Sequence, residues 1–390
     1  MIEHQTDSVN GYRVTRLTDL DEHCHHPYFY NRCFTADSHR ALVIARRGDV
    51  AHVSLVDTEM GEAEPLVAGP DIEEFMISLS PDDRYLYYSR GQALHRLTLD
   101  GRVDEVVWRQ EPPWDGHAIY PGFSGDFRYA LMAQIHRDDA VPRTEGWSFL
   151  EPQWRKKPRC RLMRVDLRTG AEQVVREEAC WLGHPQICPG DPDTLMYCHE
   201  GGGPRGGRDV DARIWLVQAD GSNNHCAGYL EPEPGAGSGE LITHEAFMPD
   251  GRHFYYLRLP QEPGEKVSLR LRTVADCKLV KNLPVSGWLH AGPSPDSRYL
   301  VGDQKGQPGQ GMLWLLDLAT GVETPLCLHG SSYRMRGRQL PTANTTPDAH
   351  PHPSFSPDGK KVLFTSDKDT GPEGKCAVYV AEICSKEIAR

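Results

Sequence analysis

The chain is short of several things, and each shortage closes a class. Its eleven cysteines include no C-x-x-C pair, so neither a zinc ribbon nor a disulfide framework is expected, and they read as reduced thiols buried as small hydrophobes. No stretch approaches the roughly 18 apolar residues that a spanning helix needs. The opening MIEHQTDSVNGYRVTRLTD lacks the basic patch and apolar run of a secretory signal, which makes a cytoplasmic location the expectation. Basic residues are outnumbered: 43 Lys and Arg against 55 Asp and Glu leave a net charge of −12, which disfavours a nucleic-acid surface. An anionic ligand would therefore need a local cation cluster. There is no G-x-S-x-G elbow to supply a hydrolase nucleophile, and the glycine run GGGPRGG (201–207) is not followed by the Gly-Lys-Ser/Thr of a phosphate loop.

What is present argues for a large β architecture. With 38% apolar and 8% aromatic residues the chain is too hydrophobic for a disordered segment, and 390 residues suffice for one large fold or two ordinary domains. A unit repeats with a period of roughly 45 to 60 residues, the range of propeller blades once insertions are allowed. Clear copies are SLSPDDRYLYYS (78–89), AFMPDGRHFYYL (246–257), GPSPDSRYLVGD (292–303) and SFSPDGKKVLFTSD (354–367). Weaker ones are CFTADSHRALVI (33–44), GFSGDFRYALMA (122–133) and CPGDPDTLMYC (188–198), which brings the number to seven. Strands with two-residue alternation follow, as in VSLVDTEMG (53–61), LMRVDLRTG (162–170), IWLVQADGS (214–222) and LWLLDLATG (313–321). Proline presets φ at the second position of a type I turn and the Asp and Gly after it tolerate the exit, so the motif reverses the chain by a known mechanism. One such unit cannot bury both faces, whereas seven around an axis can. The reading is an all-β, seven-bladed propeller over residues 1–390, with the segment near Gly11 to Leu20 giving a strand to the last blade. Two β-sandwiches are the rival, but they would not repeat one turn motif along the whole length.

Histidines keep step with that repeat. His25 and His26, His184, His244, His290 and the pair His350/His352 each precede a copy of the turn. Corresponding points of successive blades lie on one ring of a propeller's funnel, so these side chains can converge near the axis. His350 and His352 stand two apart beside Pro351 and Pro353, which favour an extended backbone, so both imidazoles leave one face and can reach one cation. His25, His26 and His184 read equally well as strand-entry residues or hydrogen-bond partners between blades.

The blocks HPHPSFSPDGKKVLFTSD (350–367), VDARIWLV (210–217), THEAFMPDG (243–251), CHEG (198–201) and HHPYFYNRCFTADSHRALV (25–43), taken in order, resemble the oligogalacturonate lyases of polysaccharide lyase family 22 over most of the chain. That resemblance implies a seven-bladed propeller that cleaves short oligogalacturonides by β-elimination with Mn²⁺ in its funnel. It implies metal ligands at His290, His350 and His352, a Brønsted base at His244, and Arg213 as the cation that meets a substrate carboxylate. The family places a Gln three residues before the His-Pro-His pair, where this chain has Pro347. Gln339 reaching back through a looped insertion, Asn344, Asp348 or a water molecule are the candidates for that fourth position.

The chemistry needs these residue types. Abstracting the C5 proton of a galacturonate builds charge beside an anionic C6 carboxylate, so that carboxylate must first be neutralised. A divalent ion on neutral imidazoles keeps its charge and serves as a Lewis acid, and an Arg can hold a uronate bidentately. Histidine ligands with oxygen donors suit Mn²⁺ or a neighbour such as Ni²⁺, Co²⁺ or Zn²⁺. A histidine base then takes the proton and the O4 bond leaves. His199 beside the glycine run is a candidate substrate contact, and Trp114, Trp147 and Trp154 are candidate sugar platforms or loop packing. The rivals are a non-catalytic ligand- or protein-binding propeller, the propeller part of a prolyl-oligopeptidase-like hydrolase without its catalytic domain, and a lyase for another uronate.

Overall fold

A computed structural model describes residues 2–142, 149–201, 213–227, 241–260, 262–334, 338–340, 343–345 and 349–383. Its strands form a seven-bladed β-propeller: six four-stranded antiparallel sheets, one five-stranded sheet, and a separate hairpin of Arg338–Leu340 with Ala343–Thr345. The innermost strands of blades 1 to 7 are His23–His25, Ser78–Leu79, Pro121–Phe123, Leu182–Cys188, Ile242–Phe247, Trp288–Pro293 and Ser354–Phe355. Blade 7 takes strands from both ends of the chain. Arg13–Arg16 pairs with Ala377–Glu382, with Val14 opposite Ala381, and Glu3–Thr6 adds an outer strand. Among the described residues no helix is long and apolar enough to cross a membrane.

The repeated turn joins the first and second strand of a blade, and its closure rests on side chains more than on glycine. The hydroxyl of Thr35, Ser80, Ser124, Ser294 or Ser356 donates to the Asp two residues on at 2.6 to 2.7 Å. That Asp in turn accepts the N–H two residues further along, as Asp358 does from Lys360 at 3.1 Å. The fourth residue is left-handed in six copies, and it is glycine only at Gly251 and Gly359, whereas Ser38, Asp83, Phe127 and Ser297 take φ of 63°, 55°, 54° and 59°. The Asp side chain secures a conformation that would otherwise call for glycine.

Between neighbouring blades the inward-facing alternate residues interdigitate. Leu42, Ile44, Val53 and Leu55 of blade 1 pack on Ile77, Leu79, Leu86 and Tyr88 of blade 2, and all are essentially inaccessible. Similar clusters fill the remaining six interfaces. Burying each such aliphatic side chain contributes roughly 1.5–3 kcal/mol, so adjacent blades hold each other and no blade is independent.

Candidate active site

The innermost strands of blades 4, 5 and 6 are each broken by a β-bulge at the histidine. Register slips between Gly183 and Gln186, between Thr243 and Ala246, and between Trp288 and Ala291. His184 and His244 occupy left-handed conformations, φ 47° and 55°, and His352, just ahead of the inner strand of blade 7, has φ 47°. A bulge frees one residue from the ladder and re-aims its side chain, which is how strand residues come to meet near the axis.

Four sequence-predicted histidines meet there. The ligand-capable ring atoms of His290, His350 and His352 all lie within 4.8 Å of one another. Ring centroids are 4.3 Å apart for His290 and His352 and 5.2 Å for His290 and His350, and His244 lies 4.4 Å from His290. His290 is fixed by Asp303, whose carboxylate accepts the His290 backbone N–H at 2.6 Å and stands 2.7 Å from Nδ1. With Nδ1 engaged, Nε2 is left to face the other imidazoles. Burial pushes the Asp303 carboxyl up to about 7. Burial, then the neighbouring imidazoles, holds His352 well below the usual histidine range, and burial followed by the charges of His290, His184 and Arg213 does the same for His244. Neutral imidazoles are the form that can ligate a cation or accept a proton.

Arg213 enters from the edge of blade 4. Its Nε and Nη2 donate to Glu245 at 2.9 and 3.2 Å, and its Nη1 to Glu200 at 3.1 Å. His184 stands between the same carboxylates, 3.4 Å from Glu200 and 3.3 Å from Glu245. Burial opposes the Glu245 charge, but Arg213 and His184 outweigh it and hold the carboxyl at about 2. Tyr28 closes the floor, its ring 4.8 Å from His352, 6.3 Å from His184 and 6.4 Å from His290.

Other candidates lie elsewhere. His199 turns away toward the blade 3–4 interface, where its Nε2 meets Glu178 at 2.8 Å and its ring lies 4.9 Å from Trp215. His25 is bound to the buried Glu74 at 2.6 Å, and His26 to the carbonyl of Pro351 at 3.0 Å. Trp114 is covered by the guanidinium of Arg161, 4.7 Å from its ring, and Trp154 packs against Gly201. Gln339 and Asn344 are backbone register partners in the small hairpin, while Trp147, Pro347, Asp348 and most of the 201–207 glycine run lie outside the described residues. Sequence reasoning did not find Glu200, Glu245, Asp303 or Tyr28. A signal existed for two of them: Glu245 and Asp303 are acids inside strands on the inner part of their blades, where a buried charge is rare unless paired.

Fold and site together define a β-propeller with a three-imidazole centre in its funnel, flanked by a neutral histidine and an anchored guanidinium. A model of the oligogalacturonate lyase family matches residues 2–386. An oligogalacturonide lyase of Pectobacterium atrosepticum is 32% identical over 97% of this chain and 95% of its own length. A solved oligogalacturonate lyase in complex with manganese is 31% identical with a TM-score of 0.85, covering 99% of this chain and 97% of that one. The oligogalacturonate lyase of Vibrio parahaemolyticus is 28% identical with a TM-score of 0.84 and the same shares. This chain belongs to the oligogalacturonate lyase family.

Proposed function

We propose that the protein cleaves short α-1,4-linked galacturonides by β-elimination, leaving a 4,5-unsaturated uronate on one product. The observation that carries this reading is the convergence of His290, His350 and His352 beside a half-buried, neutral His244 whose ring is 4.4 Å from His290. The donor set fits a divalent transition metal: three imidazoles meet, and the one held by Asp303 keeps Nε2 available. His290, His350 and His352 would hold Mn²⁺, as a manganese-bound relative suggests, and the ion would supply Lewis-acid neutralisation of the C6 carboxylate.

The chain's own groups perform the remaining work. His244 takes the C5 proton, for which an uncharged imidazole held by the bulge is suited. As the C5–H bond breaks, its electron pair forms the C4=C5 double bond and the C4–O4 bond breaks with its pair on O4. Arg213 binds a uronate carboxylate with the N–H bonds that Glu200 and Glu245 leave over. Eight of the ten described cysteines are buried as small hydrophobes, in keeping with a reducing compartment such as the cytoplasm. Incubation with trigalacturonate while following ultraviolet absorbance tests the reading. A growing chromophore that disappears on chelation and returns with Mn²⁺ is expected, and a protein that makes none with metal bound would refute it.

A further inference from the structure

Arg213 does not stand in the site as a free cation. It is held by two carboxylates through three of its five N–H donors, and Glu245, the stronger anchor, is completely buried. Counted as charges, Glu200, Glu245 and Arg213 sum to one negative unit, the wrong sign for attracting a uronate. Attraction is therefore not what the two acids contribute.

A second observation shows how closely Glu200 is seated. Gly183 opposite it has a backbone conformation that any L-residue can adopt, yet a Cβ there would lie 2.7 Å from Glu200 Cγ and 2.9 Å from Cδ, with Oε1 nearer still. The missing side chain at 183 is the space that the Glu200 carboxylate fills on its way to Arg213. His184, next in sequence, leaves the ladder in the same bulge and meets the other side of both carboxylates.

We infer that Glu200 and Glu245 are positioning residues, which fix the Arg213 guanidinium so that its two remaining N–H bonds point in one set direction at the substrate carboxylate. This rests on the reading above that Arg213 meets a uronate. Their role is orientation, gained at the expense of net attraction, and Gly183 is part of the device.

The geometry separates position from charge. Gly183→Ala keeps every charge but pushes aside the flexible end of Glu200, whereas Glu200→Gln keeps the shape but removes one negative unit. Positioning predicts that each lowers kcat/KM on trigalacturonate by between about 10- and 100-fold. It also predicts that the double variant is no worse than the poorer single one, since both break the same contact. Bound metal and Tm should stay close to wild type. A Gly183→Ala protein with wild-type kcat/KM would overturn the inference. So would Glu200→Gln with a lower KM and unchanged kcat, which is the result for an acid that only balances charge. Loss of metal or of thermal stability without a kinetic defect would make Glu200 structural and would equally overturn it. If wild type forms no unsaturated product, the lyase reading fails by itself. Calorimetric affinity for trigalacturonate then decides the inference, with weaker binding by Gly183→Ala expected and equal binding contradicting it.

Discussion

Replacing Asp303 with Asn is the most informative single perturbation of the three-histidine centre. The carboxylate lies 2.6 Å from the backbone N–H of His290 and 2.7 Å from its Nδ1. An Asn has one carbonyl oxygen and one NH₂ for these two positions. If the oxygen keeps the backbone N–H, the NH₂ faces Nδ1, draws the imidazole into the other tautomer and puts a proton on Nε2, where a cation would bind. If the oxygen instead keeps Nδ1–H, the fully buried backbone N–H loses its partner, at about 1–3 kcal/mol. Loss of such an outer partner lowers metal affinity roughly 10- to 100-fold, which corresponds to about 1.4–2.7 kcal/mol. Competition between the protein and a chelator for Mn²⁺, with a thermal melt of the same samples, reads both branches. An Asp303→Asn protein with wild-type affinity and wild-type Tm would refute the reasoning, and would mean that the acid acts in its neutral form.

His244→Ala should leave bound metal and Tm unchanged and lower turnover by roughly 10²–10⁴-fold, the usual contribution of a general base, as measured by initial rates. Arg213→Ala strands the buried Glu245 charge and should destabilise the protein by about 3–5 kcal/mol in denaturant titration, with part of the loss recovered on adding Glu245→Gln. Because Glu245 is held at about 2, below its unfolded value, the stability it contributes is complete above about 4.5 and is lost as pH falls toward 2. The difference in stability between wild type and Glu245→Gln should therefore shrink across that acid window. Gly302→Ala should cost about 1–3 kcal/mol in thermal or chemical unfolding, because its methyl would run into the buried Trp288 ring.

The propeller was legible because its signals are local. In three copies a hydroxyl, a proline and an aspartate within four residues make a turn without help from elsewhere, and these with four variants of the same unit in order point to a closed ring. The metal candidates were legible for a related reason: His290, His350 and His352 hold fixed places relative to those turns, so the repeat carried them to one place. Glu200, Glu245 and Asp303 escaped notice because their partners come from other strands or through bulges, which a period of two hides. His244 and Glu245 both fall in the slip between Thr243 and Ala246, and from there one stands beside His290 and the other on Arg213. His25 followed the same positional pattern as the site histidines, yet it is tied up with Glu74. Position in the repeat selects a ring of the funnel, and the partner on the next blade decides what each ring member does.

The central claim is elimination at the His290, His350, His352 and His244 centre, and the product masses test it most directly. Mass spectrometry of trigalacturonate digested by the Mn²⁺-loaded protein should give fragments whose masses sum to that of the substrate with no water added, one of them lighter than its saturated counterpart by a water. Fragments that together carry one added water would show hydrolysis and contradict the account.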